Sequence, residues 1–322
     1  MRRREFLRAG ATGAAAVALR QRLALAAPKP SNAAVLPQRA YKDDVKLSII
    51  GFPGLALSKM KDEKEIATLV AESVERGCNY FDVAPRYGDA EVKLGPALAP
   101  FRKKVFLACK TALRNRDGAK MEFERSLERL KADRFDLYQL HVLKDVEKDV
   151  DAVFAKGGVM DYLLEQKKAG RIRYLGFSAH TEEAALAALE RGVFDSILFP
   201  VNFGSYMKGK FGPRVVEDAK KRGVAVCAIK TFARQWWPKG DKTRGEWRLW
   251  YQPLHDRAEA DLSLRFTMAQ GAVSAVPAAD ARIHRLAMDV AGGVKPVGAD
   301  ELATLRALAD TLNPVFTQHR AP

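Results

Sequence analysis

Residues 105–141 read VFLACKTALRNRDGAKMEFERSLERLKADRFDLYQLH, and this stretch decides the fold class. It begins with an apolar run at 105–109 that predicts a buried strand. In the segment that follows, the apolar side chains recur at i, i+4 and i+7, the period of an amphipathic helix: Phe123, Leu127 and Leu130. A second apolar run at 135–140 predicts the next strand. The stretch is therefore one strand–helix–strand unit.

The same alternation continues on both sides of this unit. Short apolar runs separated by segments of helical period predict eight strands, at residues 46–51, 79–83, 105–109, 135–140, 172–177, 196–199, 225–229 and 273–276. Eight strand–helix units in about 250 residues predict an α/β fold, a single-domain (β/α)8 TIM barrel. A doubly wound sheet would need a G-x-G-x-x-G turn after its first strand, and Gly51-Phe52-Pro53-Gly54 lacks that spacing.

The N-terminus resembles a twin-arginine export signal. Arg3 and Arg4 precede Phe6-Leu7, an Ala/Gly-rich stretch follows, and residues 24–26 offer a small-x-small cleavage site. We therefore expect a signal peptide at 1–26, a linker at 27–44, a barrel at 45–315, and a periplasmic or exported protein that uses the twin-arginine export machinery. Arg20 and Arg22 lie inside the late apolar region, so an uncleaved membrane tether is the alternative. After signal removal no stable membrane insertion is expected.

The net charge of the 322-residue chain is +15, which would suit a polyanionic partner. Residues 1–26 hold six arginines and one glutamate, so +5 belongs to the signal and +10 to the rest. That remainder is spread over predicted helix faces, and nucleic-acid binding is not expected. The three cysteines, Cys78, Cys109 and Cys227, lie far apart, so neither a metal site nor an iron–sulfur cluster is expected.

Ionisable residues follow three consecutive predicted strands. Asp82 and Tyr87 follow the second strand, Lys110 ends the third and His141 ends the fourth. Singly, each has an ordinary structural explanation as a loop cap, a packing aromatic, a surface charge or a core histidine. A barrel would bring all four to one mouth. There the ammonium of Lys110 would lower the pKa of the tyrosine from its reference value near 10, the aspartate would orient the lysine, and the histidine would polarise a carbonyl oxygen.

These residues lie in segments that resemble the aldo/keto reductases over nearly the whole chain after the signal. The matching segments are YFDVAPRYG at 80–88, VFLACKT at 105–111, FDLYQLH at 135–141 and GRIRYLGFS at 170–178. The resemblance implies an oxidoreductase that transfers hydride between a nicotinamide cofactor and a carbonyl or alcohol. It assigns Tyr87 as the general acid/base, Lys110 and Asp82 as residues that tune it, and His141 as the residue that orients the carbonyl.

The resemblance also implies a cofactor lying across the strand ends, with departures from the family pattern. Ala179 stands where Asn is usual, Leu198 where Gln is usual, and Ile229 where an aromatic is usual. The implied cofactor-binding residues are Ser178, Asn202, Lys230, Thr231, Arg282 and Arg285. Lys230 would pair with the pyrophosphate, or else be a salt-bridged rim residue. Arg282 and Arg285 favour the 2′-phosphate of NADP(H), with NAD(H) left open.

All four tryptophans lie between residues 236 and 250. We expect Trp236, Trp237 and Trp247 to wall a substrate pocket; the alternative is that they pin a long loop to the barrel.

The sequence thus predicts an exported NAD(P)(H)-dependent oxidoreductase acting on a small-molecule carbonyl or alcohol. One alternative is a catalytically weak cofactor-binding or regulatory barrel, supported by Ala179 and Leu198. Another is an aldolase with Lys110 as a Schiff-base nucleophile. Substrate identity, reaction direction and oligomeric state do not follow from the sequence.

Overall fold

A computed structural model describes residues 35–318 of the chain. The strands within this range are β1 (Gln38–Lys42), β2 (Val45–Ser48), β3 (Phe52–Pro53), β4 (Tyr80–Asp82), β5 (Phe106–Thr111), β6 (Phe135–Leu143), β7 (Ile172–Ala179), β8 (Ser196–Pro200), β9 (Ala225–Ile229), β10 (Ala233–Trp236), β11 (Tyr251–Pro253) and β12 (Ser274–Val276). Eight of them form one parallel sheet in the order β12-β9-β8-β7-β6-β5-β4-β3.

The sheet closes between its first and last strands. Ile50, just before β3, bridges in parallel to Ala275 of β12. The N–H of Gly51 donates to the carbonyl of Ala275 at 2.9 Å, and the N–H of Ala275 donates to the carbonyl of Ile49 at 2.8 Å. The expected single-domain (β/α)8 barrel is thereby confirmed, and the carboxyl ends of eight strands surround one mouth.

The segment before the barrel forms an antiparallel hairpin of β1 and β2. The expected first barrel strand at 46–51 is therefore wrong in its first half, because Val45–Ser48 belongs to the hairpin and the barrel strand is Phe52–Pro53. Tyr41 and Leu47 are buried in one apolar cluster with barrel-interior side chains such as Phe106. The hairpin thus plugs the amino-terminal end of the barrel, which is where these two side chains can be buried. Strand β1 lies within the range expected to be linker, and the expected signal lies outside the described residues.

The other seven expected strands are confirmed to within three residues at each end. Gly77 and Gly223 have φ of +84° and +68°, the left-handed conformation that ends a helix before a strand. Within the described range, the α-helices longer than three residues are Glu63–Glu75, Ala90–Leu98, Arg116–Leu130, Val159–Lys168, Glu182–Glu190, Phe203–Met207, Pro213–Lys221, Arg244–Trp247, Arg257–Ala269, Ala281–Ala291 and Ala299–Thr311. Gly54–Lys59 and Ala99–Lys104 are 3-10 helices, and Val146–Asp151 is a π-helix. Between residues 35 and 318, no helix is long and apolar enough to span a bilayer.

Strands β10 and β11 form a two-stranded antiparallel ribbon that leaves the barrel after β9. We call residues 233–253 the flap; it includes the short helix Arg244–Trp247. Gln235 donates to Gln252 across the ribbon at 2.9 Å, and the N–H of Trp236 donates to the carbonyl of Asn313 at 3.0 Å. The flap is therefore anchored both to itself and to the C-terminal segment.

Candidate active site

A buried ion pair lies at the centre of the barrel mouth. The Nζ of Lys110, at the end of β5, is 2.6 Å from Oδ2 of Asp82, at the end of β4, and both side chains are buried. The Nε2 of Gln139 donates to Oδ1 of Asp82 at 3.1 Å, and the hydroxyl of Tyr80 donates to the same oxygen at 3.3 Å. Three donors therefore fix the carboxylate, and the carboxylate fixes the ammonium.

The ion pair also decides the charge of the lysine. Burial alone would lower the pKa of Lys110, but Asp82, Tyr87 and Cys109 together outweigh burial and the pKa is raised. A lysine held protonated in this way is a poor Schiff-base nucleophile, because the neutral amine is the attacking form. The ion pair therefore disfavours the aldolase alternative.

Tyr87 lies in the loop after β4, with its ring edge-on to that of His141 and 5.5 Å from it between centroids. The Nζ of Lys110 is 5.3 Å from the centroid of the Tyr87 ring. Burial raises the pKa of Tyr87 to about 12, while the Lys110 ammonium acts in the opposite direction. The expected net lowering of this pKa is therefore wrong, because desolvation outweighs the ammonium. The phenol is protonated at neutral pH and suits a proton donor.

His141 is aimed by an irregularity in β6. The register between β6 and β7 shifts between Leu140 and Leu143, and Val142 has φ of +56°, which is strained for a β-branched residue. The N–H of Val142 donates to Oγ of Ser178 at 2.7 Å, and an Nη of Arg114 donates to the Val142 carbonyl at 3.1 Å. Strain at such a position is typical of a functional site.

The His141 ring is uncharged at neutral pH. Burial lowers its pKa well below 6.5, and the nearby Lys110 ammonium adds to the effect. Its Nδ1 is buried and has no hydrogen-bond partner among residues 35–318. A neutral imidazole beside a protonated phenol can donate a hydrogen bond to a carbonyl oxygen without bringing a second charge into the site.

These four side chains line one cavity of about 350 Å³ at the mouth. Ser178, His180 and Lys230 also line it, as do Leu198 and Ile229, which stand at the positions where the family pattern has Gln and an aromatic. The flap supplies Trp250 and Tyr251 to its wall. The structure thus brings together all four expected catalytic residues, with apolar side chains over much of the wall.

A second cavity of about 380 Å³ adjoins the first and is lined by Arg282, Trp247 and Asp280 among others. The two cavities share Lys59 and Arg248 in their walls. The Nζ of Lys59 donates to the carbonyls of Arg248 and Ala279, at 2.9 Å each, and so ties the flap to the segment after β12. Cations therefore lie along the path from the catalytic residues to the start of helix Ala281–Ala291.

The remaining expected site residues, apart from Trp247, lie outside the lining of both cavities. Oδ1 of Asn202 accepts the N–H of Ser205 at 2.9 Å and caps a helix, and Thr231 is fully buried. Arg285 pairs with Glu72 at 2.8 Å. Trp236 and Trp237 line neither cavity, and Trp247 lines the second. Ligand contacts for these residues stay a prediction.

Some site residues escaped sequence reasoning. Gln139 and Tyr80 each stand two residues before an expected catalytic residue on the same strand, and the period of two in a strand puts such pairs on one face. That spacing was a usable signal. Lys59 and Trp250 had no such signal, because their places depend on how two loops meet over the mouth.

Comparison with known proteins assigns the family. Residues 49–287 match the model of the Aldo/keto reductase family. The chain belongs to the aldo/keto reductase family. The resemblance carried by the segments at 80–88 and 135–141 is thereby confirmed.

Similar proteins cover the aldo/keto reductase barrel to different extents. An aldo-keto reductase of Mycobacterium avium (strain 104) is 28% identical over 166 residues, which are 50% of this chain and 54% of that protein. The match therefore spans about half the length of this curated relative. An uncharacterized oxidoreductase, YqkF, of Bacillus subtilis (strain 168) is 24% identical over 308 residues, covering 86% of this chain and 97% of the relative.

Solved structures share the same barrel. The holo form of aldo-keto reductase AKR11C1 from Bacillus halodurans matches with a TM-score of 0.67 at 22% identity, covering 88% of this chain and 99% of that one. At this level of identity the likeness supports the fold.

The residues at the mouth fit a nicotinamide dinucleotide. Oγ of Ser178 accepts one hydrogen bond and keeps its own proton to donate to a carboxamide oxygen. Lys59, Arg248 and Arg282 line the two adjoining cavities, where the negative charges of phosphates would be favoured. The apolar Leu198 and Ile229 leave the carboxamide fewer partners than the family pattern provides. Among residues 35–318, no cluster of His, Cys, Asp and Glu side chains is arranged to hold a metal ion.

Proposed function

We propose that this protein is an exported NAD(P)(H)-dependent oxidoreductase that interconverts a small-molecule carbonyl and its alcohol. The observation that carries the proposal is the convergence of Asp82, Tyr87, Lys110 and His141 on one cavity in an aldo/keto reductase barrel. The bound nicotinamide supplies or accepts the hydride at the carbonyl carbon.

Side chains of the protein carry out the proton transfer. The phenol of Tyr87 donates its proton to the carbonyl oxygen as negative charge develops there, and takes it back in the reverse direction. The Lys110 ammonium stabilises the phenolate that this transfer leaves. His141 donates a hydrogen bond to the same oxygen and holds it facing Tyr87. Asp82, fixed by Gln139 and Tyr80, keeps Lys110 charged and in place.

We assign the cofactor's phosphates to the cations between the two cavities. Lys59 and Arg248 border both cavities, and Arg282 lines the second, where its guanidinium lies 4.0 Å from the centroid of the Trp247 ring. The side chain of Arg282 is 55% exposed although it pairs with Asp280 at 2.8 Å, so it can reach a 2′-phosphate. This supports NADP(H) over NAD(H).

Export rests on the arginine pair and the following apolar stretch of the N-terminal segment. A twin-arginine route would carry the folded barrel with its cofactor bound. Replacing both arginines in the variant Arg3→Lys/Arg4→Lys should leave the protein in the cytoplasm; export of this variant at the wild-type level would contradict the assignment.

A catalytically weak cofactor-binding barrel is the second candidate. It is favoured by Ala179, Leu198 and Ile229, which remove groups that would hold and stack on the nicotinamide. Such a barrel would bind the nucleotide without turnover.

Titration with NADH and NADPH, followed by turnover of a panel of aldehydes and ketones, tests both candidates. Saturable nucleotide binding with reduction of a carbonyl supports the oxidoreductase. Binding without turnover of any panel member supports the regulatory barrel, and absence of nucleotide binding contradicts both.

A further inference from the structure

Lys230 is a lysine in the catalytic cavity that the proton-transfer chemistry does not use. It directly follows β9 and has φ of +66°, a left-handed conformation that non-glycine residues rarely adopt. Its carbonyl accepts the N–H of Ala233 at 2.8 Å in the tight turn that leads into the flap. This turn places the side chain in the lining of the catalytic cavity instead of continuing the alternation of the strand.

The ammonium group of Lys230 rests on two aromatic rings of the flap. Its Nζ is 5.3 Å from the centroid of the Trp250 ring and 5.4 Å from that of Tyr251. No hydrogen bond or ion pair joins it to another residue between 35 and 318, whereas Lys110 pairs with Asp82 and Lys59 donates to two carbonyls. Burial lowers the pKa of Lys230 to about 8, so the group is still mostly charged at neutral pH.

The lining of the catalytic cavity holds more cations than carboxylates. Asp82 is its one carboxylate within the described chain, and Lys110 already pairs with it. Lys59, Lys230 and Arg248 bring further positive charge to the wall. An anionic ligand would complete the electrostatics of this wall.

Lys230 lines the catalytic cavity but is absent from the lining of the second cavity, where Lys59, Arg248 and Arg282 are found. Burial lowers the pKa of His180, which follows β7, to about 3, and the charge of Lys230 adds to the lowering. His180 is therefore a neutral ring in the same wall and can donate a second hydrogen bond to an anion.

We propose that Lys230 binds the carboxylate of the substrate, with His180 beside it, so that the enzyme acts on small oxo acids. This rests on the proposed function and names its substrate class. The carbonyl oxygen then faces Tyr87 and His141 while the carboxylate lies against Lys230, and the cavity volume of about 350 Å³ limits the substrate to a small molecule.

The test compares two substrates that differ in one charge, 4-oxobutanoate and its methyl ester. In the variant Lys230→Met the kcat/KM for 4-oxobutanoate should fall about 10- to 100-fold, the range for a lost charge-assisted hydrogen bond, mainly through KM. The kcat/KM for the ester should change less than about twofold. Lys230→Arg should recover part of the loss, and Lys120→Met, an exposed lysine of helix Arg116–Leu130 that lines neither cavity, is the matched control.

Nucleotide affinity separates this assignment from a phosphate ligand. The dissociation constant of the nicotinamide nucleotide should be unchanged in Lys230→Met. A loss of nucleotide affinity together with equal losses for the acid and the ester would overturn the proposal, because Lys230 would then hold the cofactor.

Binding of succinate to the resting protein, followed by tryptophan fluorescence, gives a readout independent of turnover. Wild-type protein should bind succinate, and Lys230→Met should not. If succinate binds through Lys230 but no carbonyl is reduced, the proposed function fails and the anion site stands. If the ester is reduced and succinate does not bind, the anion site fails and the proposed function stands.

Discussion

At the scale of single residues, the ion pair of Lys110 and Asp82 organises the site. Desolvation by the barrel disfavours both charges, and their contact at 2.6 Å together with the donors Gln139 and Tyr80 offsets that cost. The same burial raises the pKa of Tyr87 and lowers that of His141. Burial therefore sets the protonation states that the reduction needs, a protonated phenol and a neutral imidazole.

Breaking this ion pair should destabilise the fold. Lys110→Met or Asp82→Asn leaves one buried group uncompensated, and each should lower the free energy of unfolding by about 3–5 kcal/mol. The double variant should lose less than the sum, because neither group is then left alone. Urea unfolding measures all three. Single variants as stable as the wild type would contradict the buried ion pair.

The reduction of a neutral aldehyde should be insensitive to pH across the neutral range. Tyr87 must be protonated to act as the acid, and with its pKa at about 12 it stays so until strongly alkaline pH. His141 stays neutral because its pKa lies well below 6.5. The single-turnover rate with 4-oxobutanoate methyl ester should therefore be flat from about pH 6.5 to about pH 10. A half-loss of rate near pH 8 that persists in Lys230→Met, which removes the other group of the cavity with a pKa of about 8, would show that the phenol titrates far lower than its burial implies.

The catalytic residues could be predicted because each lies at the end of a predicted strand or in the loop that follows it. Each of Lys110 and His141 ends or nearly ends an apolar strand, and a barrel must bring strand ends together. The shift in the pKa of Tyr87 could not be predicted in the same way. Burial of the phenol raises this pKa and the nearby Lys110 ammonium lowers it, and the sequence does not show which effect is larger. The bulge at Val142 could not be predicted either. The hydrogen bonds that stabilise its strained backbone come from Ser178 and Arg114, which are distant from it in sequence.

At the scale of elements, the flap links the two cavities. Trp250 and Tyr251 line the catalytic cavity, while Glu246 and Trp247 line the second. The indole of Trp237 donates to the carbonyl of Leu249 at 2.8 Å, which holds the two arms together. Trp247 and Trp250 therefore line cavities and Trp237 pins the loop, while contact of Trp236, Trp237 or Trp247 with a substrate stays a prediction.

Deleting residues 238–246 should weaken substrate binding more than it lowers stability. The deletion leaves both strands of the ribbon, but it removes Glu246, whose carbonyl accepts from Arg282 at 2.9 Å. We expect the KM for the carbonyl substrate to rise about tenfold, equivalent to about 1.4 kcal/mol, and the Tm to fall by less than about 4 °C. Kinetics and thermal unfolding of the same preparation measure both. Unfolding of the deletion variant without a change in KM would contradict the role of the flap.

The strands and helices follow from the sequence, except at one apolar run that is divided between the hairpin and the barrel. Residues 46–51 form one apolar run, but residues 46–48 belong to β2, which pairs with β1 instead of entering the barrel. Residues 46–48 join the hairpin because Leu47 is buried against the amino-terminal end of the barrel. This is a tertiary contact, and the hydrophobic periodicity of the sequence does not encode it. The strand of the barrel proper, Phe52–Pro53, is too short to give a periodic signal.

At the scale of the whole molecule, the net charge of +15 divides into parts with separate explanations. The N-terminal segment at 1–26 carries +5. The remaining +10 is the excess left after equal numbers of opposite charges cancel, as in surface ion pairs such as Arg171–Glu124 and Arg222–Asp218. Three cations, Lys59, Arg248 and Lys230, line one cavity at the catalytic mouth. Under the proposed function, these cations face the anionic groups of the cofactor and the substrate.

The most direct test of the account is one single-turnover measurement. Protein loaded with reduced nicotinamide nucleotide is mixed with a carbonyl substrate that the wild type reduces, and nucleotide oxidation is followed for wild type, Tyr87→Phe and the control Tyr174→Phe. Tyr174 is a matched control because its hydroxyl donates to Asp43 of the hairpin, at the far end of the barrel. We predict equal nucleotide binding in all three, a wild-type rate for Tyr174→Phe, and a rate at least about 100-fold lower for Tyr87→Phe. Oxidation by Tyr87→Phe at the wild-type rate would contradict the account.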